Sequence, residues 1–443
     1  MSEARALFPA DWSMRSLENI ASQITSGGTP TSGSPRYYLS NGGLPFAKTE
    51  DLTRARSRFI EVCELGISEV ALKESAAKKY PAGTLFISMY GTIGLTKIAA
   101  TEMAANQALC ALIPPLSCDS GYLYHHLEYT RLEWLKFSGQ TTQANINGAI
   151  VRSHEVPLPK PSEQIKIAQV LDALGAVLHE TEVIIAKLKF VKQGLLQDIL
   201  TRGINANGEL RPPQIKAPNL YKQSQLGWIP KEWDVVKLES VSKAVTSGSR
   251  DWARFYTECG ALFVRIGNLT RQHINLRYES TMYVCPPRNA DGQRTRLEPG
   301  DILISITADL GIVGVVPDEL GEAYINQHIA LVRPDHDAVN SRFVGHYLAG
   351  PIAQTYISKL NDAGAKAGLN LPTIRGFVTA KPLRTEQDLI AARLDEIDNC
   401  IQNATIESAK LRELKVGLMD DLMTGRVRVT RLLAKSTEKL GSA

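Results

Sequence analysis

P-A-D-W-S-M-R-S-L-E, residues 9–18, and P-K-E-W-D-V-V-K-L-E, residues 230–239, are one pattern written twice, 221 positions apart. Working outward, the same register pairs Thr25-Ser26-Gly27 with Thr246-Ser247-Gly248. Phe46-Ala47-Lys48 then meets Phe263-Val264-Arg265, and Leu52-Thr53-Arg54 meets Leu269-Thr270-Arg271. The apolar run A-G-T-L-F-I-S (82–88) matches P-G-D-I-L-I-S (299–305), Gly94 falls opposite Gly311, and Asn106-Gln107 opposite Asn326-Gln327. P-S-E-Q-I (161–165) closes the series against R-T-E-Q-D (384–388). One such match arises by chance. An ordered series whose offset drifts only between 217 and 223 identifies two copies of one module.

Each copy has two parts. The first is a mixed segment, rich in turn signals, in which Thr84–Met89 and Asp301–Ile306 are apolar and bounded by glycine, the pattern of buried strands. Segments 121–137 and 341–359 predict short amphipathic helices. The second part predicts a long helix. Apolar residues fall at Leu171, Leu174, Leu178, Ile185, Leu188, Leu195 and Ile199, in steps of three and four, with Thr181 and Lys192 filling the gaps. The second copy answers with Leu394, Ile397, Ile401, Ala404, Leu411, Leu418 and Leu422, with Ser408 and Lys415 at its gaps. A heptad seam of this length without internal proline predicts that the two helices pair, and the repeated lysine is a device for fixing register. A single amphipathic helix packed on its own domain is the alternative. At about 1.5 Å per residue each helix is a rod of about 60 Å. Ser162 and Thr385 are expected to cap the first turns, with Glu163 and Glu386 near their positive ends.

These readings give an α+β chain. A first module occupies 1–160 and its helix 161–202; a linker and second module occupy 203–383, the second helix 384–425 and a basic tail 426–443. The stretch 203–230, with Gly203, Gly208, Pro212, Pro213, Pro218 and Pro230, reads as a polar connector. Two similar modules on an antiparallel helical pair acquire a pseudo-two-fold axis.

Composition narrows the function. With 443 residues, 44% hydrophobic and 22% charged, the chain is long enough for two cores and excludes collagen-like, disordered and disulfide-scaffold classes. No apolar run approaches the roughly 18 residues of a membrane span. The start M-S-E-A-R-A-L-F-P is no signal peptide, and the six cysteines (63, 110, 118, 259, 285, 400) have no ligand spacing, so reduced thiols in a cytoplasmic protein are expected. G-T-I-G-L-T-K (91–97) lacks the glycine before lysine of a phosphate loop, and Glu413–Lys415 is a solvated pair on the seam helix. His125-His126, in a predicted helix, is expected at the surface. No metal, nucleotide, cofactor or covalent nucleophile has support, so a binding device is expected rather than an enzyme.

The net charge of +4 permits an anionic partner, and the charge is uneven. Residues 243–296 hold Lys243 and arginines 250, 254, 265, 271, 277, 288, 294 and 296 against four acids. Residues 36–58 hold Arg36, Lys48, Arg54, Arg56 and Arg58 against Glu50 and Asp51. Arginine suits phosphates and guanine edges, and amide-rich Q-T-T-Q-A-N-I-N (140–147) suits adenine edges or phosphates. Solvated faces and turn-satisfying amides are the competing readings. Duplex DNA has dyads to match two similar modules, so such a body could read two sites in double-stranded DNA separated by a spacer. A protein scaffold clasping other proteins is the rival.

The chain also resembles the specificity subunits of type I restriction-modification systems. The residues that carry the resemblance are W-S-M-R-S-L-E-N-I with T-S-G-G-T-P (12–30), G-G-L-P-F-A-K-T-E-D-L (42–52), I-S-M-Y-G-T-I-G (87–94), N-Q-A-L (106–109) and P-L-P-K-P-S-E-Q-I-K-I-A (157–168). The link G-W-I-P-K-E-W-D-V-V-K-L-E (227–239) and the endings Q-D-I-L-T-R-G and D-D-L-M-T-G-R belong to the same set. The second module departs from it at 362–370 and at Ala308-Asp309. The resemblance implies two target recognition domains, one per half of a split DNA sequence, separated by two long antiparallel coiled-coil helices. It implies no catalysis in this chain, two methyltransferase (M) subunits that methylate adenine, and restriction (R) subunits joined through that complex. Candidate DNA-binding residues are Lys48 and Arg265 after equivalent strands, Arg54 and Arg271 for phosphates with surface solvation as the alternative, and Tyr90 and Thr307 at the loop after the apolar strand. Gln107 and Gln327 are candidates too, although a structural turn role for the Asn-Gln pair is the favoured reading because both modules keep it. Base choice should lie where the modules differ, as at Gln143 against Lys366 and Ala108 against His328.

Overall fold

The computed structural model describes residues 8–134, 136, 145–287, 289–362, 369–430 and 432–433. The chain forms two compact units, residues 1–183 with 406–443, and residues 184–405.

In unit 1, a five-stranded sheet runs in the order Ala21–Ser26, Leu109–Leu116, Leu85–Ser88, Thr96–Ala99, Phe59–Ile60. A second sheet runs Tyr38–Leu39, Gly66–Ile67, Leu44–Ala47, Met103–Ala105, Lys79–Tyr80. Unit 2 has two four-stranded counterparts. One is Ser242–Ser247, Ile329–Pro334, Ile302–Ser305, Val313–Val315; the other is Tyr256–Thr257, Tyr283–Val284, Ala261–Val264, Ala323–Ile325. The apolar runs that look like buried strands are the sheet centres: Leu85, Phe86, Ile87, Ile302, Leu303 and Ile304 have no exposed surface. Fully burying each such side chain is worth about 1.5–3 kcal/mol. Gly94 and Gly311 turn the chain at φ +75° and +79°, where a Cβ would strike Trp134 at 2.9 Å and Ile357 at 2.8 Å.

The helices expected over 121–137 and 341–359 are each broken in two: Ser120–Tyr129 and Arg131–Trp134, then Ser341–Ala349 and Pro351–Asp362. Pro351 has no N–H to continue a helix and starts a new one instead. Their N-caps are Asp119 and Asn340, whose side chains accept from Tyr122 N and Phe343 N. His125 and His126 lie on the inner face of the first of these helices and are buried, 4% and 3% exposed, not at the surface. The helix amphipathicity is weak there, so sequence period alone misplaces them.

The long helices span Pro161–Arg202 and Arg384–Met423. Ser162 and Thr385 fall inside the first turn rather than at its cap. The starts are fastened by glutamines: Gln164 donates to Pro159 O and accepts from Asp119 N, and Gln387 donates to Pro382 O and accepts from Asn340 N. Within each unit the two helices run antiparallel. Arg412 reaches Glu182 at 2.6 Å in unit 1, and Lys192 pairs with Asp398 in unit 2. Leu171, Leu394, Ile401 and Leu422 are buried, and Leu174, Leu178, Ile185, Leu188, Leu195, Ile397, Leu411 and Leu418 are half-buried.

The connector is not a free linker. Gly203, at φ +65°, turns the first long helix into residues that pack on Trp233, and Tyr221–Ser224 pairs with Gly227–Pro230 as a hairpin. Arg211 bonds Glu386 at 2.5 and 3.1 Å, and the Trp233 indole N–H donates to the same carboxylate. The end of the second long helix repeats this in unit 1. Gly425, at φ +72°, faces Trp12, and Arg428 clamps Glu163 and Asp11 while lying over the Trp12 ring. The two glutamates and two tryptophans of the repeat are therefore one anchoring device, used twice.

Candidate nucleic-acid interface

In each unit, strand ends and loops are stitched into one face by backbone hydrogen bonds. In unit 1, Asn106 N donates to Ala47 O, Met89 N to Ala108 O, and Ile146 N to Met89 O. In unit 2, the same bonds run from Asn326 N to Val264 O, Ile306 N to His328 O, and Leu369 N to Ile306 O. Gly27 and Gly248 close the face. Each donates its N–H to the strand after the Asn-Gln pair, to Leu109 O and Ile329 O, and a Cβ on either would lie 2.1 or 2.0 Å from the Asn106 or Asn326 carbonyl. Only glycine permits that approach, which explains why Thr-Ser-Gly recurs.

Lys48 and Arg265 occupy the same place on this face. Each ends a strand that lies parallel to its neighbour, is half-buried, and gives its backbone N–H to the side chain three residues on, Asp51 or Asn268, at 2.9 Å. The Arg265 Nε is buried with no hydrogen-bond partner among the described residues, so its guanidinium has donor capacity left.

Tyr90 is 47% exposed and forms a lone bridge with Asn145. Asn147 and Asn370, which end the amide-rich loop and its counterpart, both cap short helices, at Ala149 and Ile150 N and at Thr373 N. Gln143 and Lys366 lie outside the described residues. In the Asn-Gln pair the asparagine makes the turn, with Asn106 and Asn326 accepting from Ala108 N and His328 N. Gln107 is exposed. Gln327, Thr307 and His328 come together: the His328 ring contacts Thr307 Oγ1 through Nδ1 at 2.8 Å and the Gln327 amide through Nε2 at 3.0 Å. The two modules thus differ in how this glutamine is held.

Arg54 and Arg271 are exposed and each already has an acid partner. Arg54 is ion-paired with Glu64 at 2.6 Å. Arg271 bonds Asp309, Gln354 and the Leu310 carbonyl. The shared Leu-Thr-Arg places both beside the long helices, in exposed ion pairs of the kind that contribute little.

Sequence reasoning did not find two features, each present in both units. Lys78 and Arg294 hold the Thr-Ser-Gly turns, donating to Thr25 Oγ1 at 3.1 Å and to Thr246 Oγ1 at 2.7 Å. Their only signal is a shared position five or six residues before Gly83 and Gly300. His125 and Arg58 converge on Asp172, and His346 and Arg342 on Asp395, fastening sheet module to helix in each unit. Burial works against the charge on both aspartates, but the histidine and arginine partners outweigh it and hold the carboxyls below their usual range. Burial also holds His346 below the usual histidine value, with Asp395 opposing. The repeat of His125/His346 and Asp172/Asp395 was available as a signal at offsets of 221 and 223.

Among the described residues, no group of three or more His, Cys, Asp or Glu is placed to hold a metal, and no helix is long and apolar enough to cross a membrane. A sequence profile of the type I restriction modification DNA specificity domain matches residues 9–189 and again residues 230–415. The chain belongs to the type I restriction-modification specificity subunits. Among relatives of that family is a putative type I restriction enzyme specificity subunit, MjaX of Methanocaldococcus jannaschii, 24% identical over 438 residues and 95% of each chain. The MjaIX specificity subunit of the same organism is 27% identical over 267 residues, 59% of each chain. The crystal structure of a type I restriction-modification S subunit from M. genitalium superposes with a TM-score of 0.61 at 14% identity, covering 93% of this chain and 96% of that one. That likeness shows the shared fold. Specificity subunits of type I systems are non-catalytic.

Proposed function

We propose that this specificity subunit reads a bipartite target in double-stranded DNA, one half-site per module, and holds the subunits that act on it. The observation that carries the reading is the loop face built twice from the same backbone bonds, with a half-buried cation, Lys48 or Arg265, at the same strand end. Phosphate contacts from such cations fix register, and base choice falls to side chains that differ between modules: Gln107 beside Ala108, Gln327 clamped by His328, and the loops that hold Gln143 and Lys366. The paired helices set the spacer between half-sites. Two M subunits dock on the chain and methylate adenine, a reaction that takes the base out of the duplex and needs the DNA gripped on both sides. R subunits join through that complex, and the assembly works in the cytoplasm.

The test is co-expression with the cognate methyltransferase subunit in a host free of adenine methylation, followed by sequencing of methylated positions. The expected result is a split motif with modified adenine in both halves. A stable complex that deposits no new methylation, together with salt-insensitive and sequence-blind DNA binding by the complex, refutes the reading and leaves the scaffold.

A further inference from the structure

The seam lysines of the two long helices, Lys192 and Lys415, stand at equivalent positions, and only one of them has a partner inside the protein. In unit 2, Lys192 pairs with the fully buried Asp398 and donates to Gln272 O. In unit 1, the residue facing Lys415 is Gly175, the equivalent of Asp398 at the same offset of 223. Lys415 makes no hydrogen bond or ion pair among the described residues. Around Lys192 the space is filled: Gln402 bonds His273 and Asn275, and the cavity left there is about 290 Å3. Around Lys415 the helix offers His179 in place of Gln402, and a cavity of about 930 Å3 opens between the helices and residues 51–64. Such a volume suits a small ligand.

The groups lining that cavity fix its chemistry. Arg54 and Arg58 are already paired, with Glu64 and Asp172, and Asp51 caps backbone N–H groups. Arg56 and Lys415 have no acid partner among the described residues, and Glu61 is exposed. Burial, and then the charges of Lys415 and Arg131 against an opposing Glu128, hold the Lys97 ammonium below its usual range, so Lys415 adds positive charge to an enclosed region. Glycine within a helix costs about 1 kcal/mol relative to alanine, so Gly175 does not serve the helix itself. Its effect is to leave empty the place that a carboxylate fills in unit 2.

We propose that the unit 1 cavity is a binding site for a small oxyanion, a phosphate or carboxylate, seated against Lys415 where Gly175 leaves room and flanked by His179 and Arg56. The Asp398 carboxylate in unit 2 marks the place such a group takes beside this lysine. Asp51 joins this cavity to the backbone of Lys48, but anion binding at Lys415 does not depend on how DNA is read.

The experiment titrates the full chain with inorganic phosphate and, separately, with acetate, by calorimetry, at constant ionic strength held with potassium chloride. The expected result is saturable binding of at least one anion that chloride does not reproduce. Lys415→Met should weaken it at least tenfold. Gly175→Asp should abolish it by supplying an internal carboxylate, because a Cβ at Gly175 sits an unstrained 4.0 Å from Lys415 Nζ. If Gly175→Asp fails to fold, Lys415→Met alone decides. No binding beyond chloride, or undiminished binding in Lys415→Met, overturns the proposal.

Discussion

Replacing Lys192 by methionine is expected to cost unit 2 roughly 3–5 kcal/mol. The side chain of Asp398 has no exposed surface and that of Lys192 is 12% exposed. Neither Asp398 oxygen has a hydrogen-bond partner with good geometry among the described residues, so the ion contact with Lys192 is what neutralises this carboxylate. Methionine keeps the length of the stem and removes the charge, which leaves a carboxylate buried without compensation. For a unit of this size that loss lowers the transition by roughly 6–20 °C. Scanning calorimetry of the full chain reads it as a shift of the unit 2 transition, with the unit 1 transition in place. The double variant Lys192→Met/Asp398→Leu should recover most of the loss, because replacing both partners removes the desolvated charge with the attraction. A loss below about 1 kcal/mol in the single variant, or no recovery in the double, refutes the argument that the pair is a mutually dependent buried contact.

Three further expectations concern other sites. His126 and His154 are buried and their pKa values are held down to about 3 and about 4, by burial and, for His126, by its histidine neighbour. The folded chain keeps both neutral while the unfolded chain takes up protons below about 6.5, so unit 1 should be fully stable above that pH and lose up to about 1.4 kcal/mol per unit of pH per histidine as pH falls from there toward 4. Calorimetric transition temperatures against pH check this, and His154→Phe, copying Phe377 of unit 2, should flatten the slope. Gly203→Ala places a Cβ 2.3 Å from Glu386 Oε1 and 2.5 Å from Trp233 Cζ2 at φ +65°, and should destabilise unit 2 by about 2 kcal/mol or more in urea titrations. Arg265→Ala should weaken binding through the second half-site alone and lower the salt slope of binding by about 1. Equal losses on oligonucleotides scrambled in either half would contradict independent modules.

Much of this architecture is written in the sequence because the chain repeats it. The runs at 82–88 and 299–305 are apolar on both faces, so they read as buried strands without ambiguity. The long helices declare themselves through Leu171 to Leu422 because a heptad needs no tertiary information. The stitched face was half legible: Gly27, Gly248 and the Asn-Gln pairs are marked by recurrence, but recurrence does not say that their carbonyls and N–H groups meet. Arg54 and Arg271 recur as well, but recurrence does not announce the acids Glu64 and Asp309 that they meet in the fold. His125 and His126 were placed at the surface because the polar character of imidazole outweighed a weak helix period. Ser162 and Thr385 lie inside helices that start one residue earlier, and it is Gln164 and Gln387, two residues further on, that reach back to the preceding proline carbonyls.

The clamp of Arg428 on Asp11 and Glu163 bears on how the protein is made. Unit 2 is one continuous stretch, 184–405, whereas the core of unit 1 takes Leu422, Met423 and Val429 from the far end of the chain. During synthesis, unit 2 has all its residues before unit 1 has its last ones. A chain cut short after Thr405 holds a complete second module, while Glu163 stays without its arginine and the first module lacks part of its core. Premature termination there therefore leaves the second unit whole in sequence and the first unit without part of its core and its Arg428 clamp.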